Sequence, residues 1–285
     1  MNMKRAVSTF SWWLFLAVMA LGTASCSSDD DNGAAPSMNA PKYERYSALY
    51  LVTDAQSDYT TVEFTASGNY LVTTRTDTFF GTYTVTGDQY DLAGFGTVLV
   101  NGGGSGTVSL QIQTNGGPSV TVAAQRRQQY SATNKTDMLC RTWKLDMIWL
   151  YSKIPGQETV DQYFTNYREF LKAMHDMEGD EYTQHDLDVQ QAWEPVNVIF
   201  TKSATYVVTY RDGTLSRCTW KWGNEGTGLV LYAWDYDSLD SPATSGEINV
   251  DFTDDARLLI TDYSYIDYQN SANVAFVQYI MSEVK

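Results

Sequence analysis

The chain runs to 285 residues with 34 acidic against 19 basic side chains, a formal net charge of −15. A field of that sign repels phosphate backbones and anionic headgroups, which argues against nucleic acid as a partner. Aromatic residues are plentiful (20 Tyr, 11 Phe, 8 Trp) and only two His occur, a profile that suits sheets better than helical bundles.

At the N-terminus, Lys4 and Arg5 precede an apolar run from Phe10 to Leu21, which reads as a signal peptide over residues 1–25. The run is short of the ~20 apolar residues a membrane-spanning helix needs, and no other stretch is long or apolar enough. Small residues Gly22, Thr23, Ala24 and Ser25 lead into Cys26. This order resembles a lipobox, with Thr23 where the commonest form has Leu, and it predicts cleavage before Cys26 and acylation of its thiol. A secreted protein cleaved nearby, with a free thiol, is the alternative. Each buried methylene of an acyl chain contributes ~0.8 kcal/mol, so acylated Cys26 would tie the protein to a lipid bilayer. Cleavage removes two basic and no acidic residues, taking the net charge from −15 to −17. The cluster Asp29, Asp30, Asp31 resembles the export signal of Bacteroidota-type outer-membrane lipoproteins and predicts a lipid-anchored protein on the cell surface. The other reading is a solvated tether on a periplasm-facing anchor. Residues 26–42 are too polar and small to fold and form a flexible acidic tether.

An internal repeat organises the remainder. Val62-Glu-Phe-Thr-Ala-Ser-Gly-Asn-Tyr-Leu-Val72 matches Val198-Ile-Phe-Thr-Lys-Ser-Ala-Thr-Tyr-Val-Val208, and each is followed by Arg and Asp and then by Gly81-Thr82-Tyr83 or Cys218-Thr219-Trp220. Each copy has the signature of a hairpin turning at Ser67-Gly68 or Ser203-Ala204. Further strands are predicted near 79–86, 96–100, 106–113 and 118–124, then near 142–150, 217–223, 228–234, 247–253, 257–265 and 273–281. Short strands joined by short turns predict a mainly β protein of two antiparallel meanders closing into barrels or sandwiches: a first module at 43–127, a linker at 128–136 and a second module at 137–285. Val160, Phe164, Tyr167, Phe170, Leu171 and Met174 fall at helical spacing, which predicts one amphipathic helix inserted at about 158–177.

Within the second module, Leu139-Cys-Arg-Thr-Trp-Lys-Leu145, the Phe200-Thr201 hairpin, Tyr206, Asp212-Gly213 and Thr219-Trp220-Lys221-Trp222 occur in that order. The series resembles the lipocalin-like domains of Bacteroidota lipoproteins, whose opening strand reads Leu-x-Gly-Thr-Trp-x-Leu, although Arg141 stands where Gly is usual. The resemblance covers about residues 137–285; the first module shares the hairpin but lacks the opening Trp. It implies a small antiparallel barrel with Trp143 plugging one end and any ligand entering the other, and it implies no particular ligand.

The sequence offers no catalytic constellation: Gly-x-Ser-x-Gly is absent, and neither Cys140 nor Cys218 has a His near it in sequence. The two cysteines form a disulfide in an oxidising compartment or remain two separate buried thiols. His175 and His185 flank an acidic segment that could hold a divalent ion, though the spacing fits no established motif and a solvated acidic loop is the favoured reading. Trp220, Trp222, Tyr232 and Trp234 could line a barrel mouth and stack on a ligand, or fill the core. The expected function is therefore non-catalytic and needs no cofactor: an anchored lipoprotein that binds a small apolar or glycan ligand or another envelope protein. The alternative is a purely structural or protein-interaction lipoprotein with no small-molecule pocket.

Overall fold

The computed structural model describes residues 40–102, 106–179, 181–233, 245–263 and 273–284. The expected signal peptide, Cys26, most of the expected tether and Trp234 lie outside the described residues.

The chain builds two closed antiparallel barrels in succession. In the first, eight strands follow one another around the wall: β1 (Ala48–Val52), β2 (Tyr59–Phe64), β3 (Asn69–Thr74), β4 (Thr78–Thr86), β5 (Gln89–Leu92), β6 (Gly96–Asn101), β7 (Thr107–Thr114) and β8 (Ser119–Arg126). β8 returns to β1, with Tyr50 opposite Arg126, and the closure leaves no sheet edge. Period-two patterning decides which side faces in. On β7, Val108, Leu110 and Ile112 are buried, while Ser109, Gln111 and Gln113 alternate outward. Sixteen buried side chains, among them Tyr50, Phe64, Tyr70, Tyr83 and Tyr90, fill the interior. At the start of β6 the strands come so close that a Cβ on Gly96 would lie 1.9 Å from the Gln113 carbonyl oxygen, at a φ of +146°. Only glycine fits there.

The second barrel begins with α1 (Asn134–Leu139), whose N-cap Thr133 accepts a hydrogen bond from the Thr136 amide, and continues through β9 (Thr142–Lys153), β10 (Val160–Phe164), α2 (Tyr167–Glu178) and α3 (Gln184–Gln191). Seven strands complete it: β11 (Pro195–Phe200), β12 (Thr205–Tyr210), β13 (Leu215–Asn224), β14 (Leu229–Ala233), β15 (Ser245–Phe252), β16 (Leu258–Asp262) and β17 (Val274–Glu283). β17 closes the wall on β9. On its other edge β9 pairs with β11 only through Thr142–Lys144, and β10 takes over that edge from Ile148 to Ser152. A bulge on β9 between Leu145 and Met147 shifts the alternation by one residue. Ile148 and Leu150 thereby point inward beside Trp143, and Trp149 and Tyr151 point outward.

Two corrections concern elements. The expected helix at 158–177 divides into strand β10 and helix α2. Val160 and Phe164 satisfy a two-residue period as well as a helical one, and β10 spends them against the core beside β9. The helix starts only where Asn166 caps it, accepting from the Arg168 amide, and it stops at Gly179 in the left-handed conformation. Tyr167, Phe170, Leu171 and Met174 then form its buried face. The expected linker at 128–136 is partly structured, because α1 begins inside it. Cys140 and Cys218 are separate, buried, free thiols, so the disulfide reading gives way to the alternative. Cys140 caps α1 and Cys218 sits on β13, each enclosed by the apolar side chains of the second core.

The repeated hairpins also join the barrels. Leu71 and its counterpart Val207 meet, with Ile199, in a fully buried apolar cluster flanked by Phe80 and Leu215. Ile199 occupies the position that Glu63 holds in the first copy. Glu63 is itself fully buried, accepts a 2.8 Å hydrogen bond from the Thr201 hydroxyl, and lies near Arg217. Burial raises its carboxyl pKa above the ordinary value, against the opposing influence of Arg217 and hydrogen bonds from Thr205 and Thr201. Arg217 donates to the Thr73 hydroxyl at 2.8 Å, and the Thr142 amide donates to Ser67 Oγ at 3.0 Å. At the rim, Lys202 reaches Glu44 at 2.5 Å and Asp137 at 2.6 Å.

Candidate functional site

The aromatic residues expected at a barrel mouth belong mainly to the core. Trp220 is 0% exposed; its indole N–H donates to the Thr201 carbonyl at 3.0 Å, and Tyr130, Phe200 and Trp222 pack around its ring at 5.0–5.6 Å. Tyr232 is buried against Tyr206. Trp222 is half-buried and donates to the Thr136 hydroxyl at 2.9 Å, which ties β13 to α1. Trp143 is fully buried and donates to the Leu139 carbonyl at 3.0 Å. Each indole proton is therefore satisfied within the protein, as burial requires.

The two histidines are held apart in role. His175, in the last turn of α2, pairs through Nε2 with Gln190 Oε1 at 2.9 Å and stacks on Tyr182 with ring centroids 4.9 Å apart. That contact locks α2 against α3. His185 is exposed in the first turn of α3, beside a capping box in which Thr183 and Asp186 satisfy each other's backbone amides. Among the described residues no three His, Cys, Asp or Glu side chains converge on a point where a metal ion would sit. Two cavities of about 140 and 180 Å³ lie, respectively, at the inter-barrel seam beside Lys202 and Arg141, and at the gap where β11 parts from β9. Both are small beside the ~300 Å³ at which ligand pockets usually begin.

The candidate site lies instead on the outer wall of the second barrel. The register of β10, β9, β17 and β16 sets two outward rungs side by side: Tyr163, Trp149, Gln278 and Thr261 in one, Asp161, Tyr151 and Phe276 in the other. Tyr263, just past β16, extends the second rung. Trp149 and Tyr163 stack with planes 8° apart and centroids at 5.3 Å; Tyr151 and Phe276 stack at 5.2 Å; Phe276 sets its edge to Trp149 at 4.9 Å and to Tyr263 at 6.0 Å. Five aromatic rings are thus prepacked on a rigid sheet. Tyr163 is 57% exposed and the other four are half-buried. Polar groups share the rungs: the Trp149 indole donates to Asp161 Oδ1 at 2.9 Å, and the Gln278 amide donates to the Thr261 hydroxyl at 2.9 Å. The sequence reading passed over this cluster, although one signal was present: Ile148 and Leu150 alternate with Trp149 and Tyr151, which puts large aromatics on the face that should be polar. What hid it was the separation of its members, spread from residue 149 to 276, with Phe276 brought beside Trp149 by barrel closure.

No protein-family model matches this chain, and a search of curated proteins finds no match.

Proposed function

We propose that this chain is an envelope lipoprotein, anchored through an acylated Cys26 and displayed on the outer membrane, whose two barrels serve as a rigid, non-catalytic body that binds on its outer surface. The observation that carries the reading is the contrast between two interiors filled with side chains and an aromatic cluster left partly open on the wall of the second barrel. The packing of both interiors favours binding on the outer surface over binding inside a barrel. Of the readings drawn from the sequence, binding by contact with a surface fits this contrast best. The charged n-region, apolar run, small residues and Cys26 support the anchor.

Two measurements on one pair of proteins test this. Cells expressing the native chain, grown with a radiolabelled fatty acid, should yield a labelled protein that partitions into detergent and is shaved from intact cells by added protease. The Cys26→Ser variant should lose the label and the partitioning together. An unlabelled native protein would sink the anchor. Labelled protein resistant to protease on intact cells would move it to the periplasmic face.

A further inference from the structure

We infer that the outer aromatic cluster formed by Trp149, Tyr151, Tyr163, Tyr263 and Phe276 is a binding site for neutral carbohydrate chains. The inference rests on the surface-binding reading above and names the ligand class. The composition of the face restricts what it suits. A docking surface for lipid tails or a helical partner would present Leu, Ile or Met, but among the described residues of β9, β10, β16 and β17 the exposed aliphatic side chain is Val274. The solvent-facing polar groups on the same rungs are hydrogen-bonding: the exposed Asp161 carboxylate and the half-buried Gln278 amide, which donates to the buried Thr261 hydroxyl. Only a ligand that alternates apolar C–H faces with hydroxyl groups uses both sets, and a pyranose ring does so on every unit. Aromatic faces stack on the C–H surface while carboxylate and amide groups bond the hydroxyls.

Dimensions and charge narrow the class. Neighbouring strands lie ~4.8 Å apart, so four strands present a strip about 15 Å across, wide enough for several linked sugars and far larger than one ring. Mutual packing holds the rings in place before any ligand arrives, so little side-chain freedom is lost on binding. Asp161 is an acceptor held by the Trp149 indole N–H, and the chain carries a net charge of −15. That field opposes anionic polysaccharides and lipid headgroups and is indifferent to neutral glycans.

The test is affinity electrophoresis of the whole mature protein, solubilised in non-ionic detergent, through gels containing a neutral glucan, mannan or xylan, with an anionic uronic-acid polymer as a further gel. At least one neutral polymer should retard the protein. Tyr163→Ala, at an exposed position that the fold does not need, and Trp149→Ala should each weaken binding roughly tenfold or more, whereas Trp193→Ala, an exposed indole elsewhere on the barrel, should leave it unchanged. Circular dichroism of each variant controls for folding. Migration unaffected by every neutral polymer overturns the inference. So does retardation that Tyr163→Ala leaves intact, or retardation by the anionic polymer alone. Crosslinking to another envelope protein that Tyr163→Ala abolishes, without glycan retardation, overturns the carbohydrate assignment and keeps the surface-binding reading; the Cys26 labelling experiment reports separately on the anchor.

Discussion

Glu63 supplies the sharpest energetic test of how the two barrels are joined. It stands fully buried in the seam, accepts from Thr201 at 2.8 Å and faces Arg217, and its carboxyl pKa is raised, chiefly by burial. A raised folded-state value means that the ionised form is less comfortable in the fold than in the unfolded chain, in spite of its partners. The sign follows by linkage. As pH rises above the ordinary carboxylate value of 4.5, the unfolded chain gives up this proton first while the folded protein retains it. Stability therefore falls as pH climbs from that value through the folded-state pKa, and above it the loss is constant. Glu63→Gln keeps an oxygen to accept from Thr201, and its amide can donate back to the threonine hydroxyls. It gives up the charge-assisted part of the contacts, worth about 1 kcal/mol, and escapes a desolvation cost of several kcal/mol. The expected result is a gain of about 1–2 kcal/mol at pH 7, or roughly 2–6 °C in melting temperature for a body of this size. The gain should shrink to nothing as pH is lowered toward 4.5. Paired thermal melts of native and variant protein at several pH values between 4 and 8 measure it. A variant less stable than the native protein at pH 7, by a margin that does not change with pH, would refute the reasoning and show that the Arg217 pairing outweighs burial.

Two further outcomes follow from the cores. Trp220→Ala removes a fully buried ring and leaves the Thr201 carbonyl without its indole donor, and should cost about 3–5 kcal/mol in urea unfolding; a loss under about 1 kcal/mol would mean that the ring is not the packing element its surroundings indicate. In the Cys26→Ser variant, Cys140 and Cys218 should resist maleimide labelling until the protein unfolds, and added reductant should not shift the melting temperature. Burial pushes the Cys218 thiol up to about 12 and the Cys140 thiol well above its ordinary value, so neither offers a thiolate near neutral pH; rapid labelling of the native protein would contradict both.

Most strands were legible because their side chains alternate. β7 and β15 each carry a wet and a dry face, the paired hairpins read as strands from their β-branched and aromatic residues, and the turns hold Gly or Ser where the chain reverses. β5 did not register as a separate strand, since four residues from Gln89 to Leu92 give only two inward positions. β10 was read as helix because Val160 and Phe164 serve either period, and its partner β9 lies across a turn that local patterning does not report. The mouth reading of Trp220 and Tyr232 failed for a related reason. Alternation places a residue on the inner face of a sheet but does not say whether that face encloses a pocket or a packed core.

By itself the sequence determined the strand periodicity, the duplication of one plan and the acidity, because each is a property of neighbouring residues or of the whole composition. Tertiary structure alone decided the rest. Whether the barrels are hollow depends on the summed volume of side chains drawn from eight strands. The burial of Glu63 depends on one hairpin meeting its duplicate in the other barrel. The aromatic wall exists because closure of β17 onto β9 brings Phe276 beside Trp149, and a one-residue bulge turns Trp149 outward. These are distances between residues far apart in the chain, which local patterning does not encode.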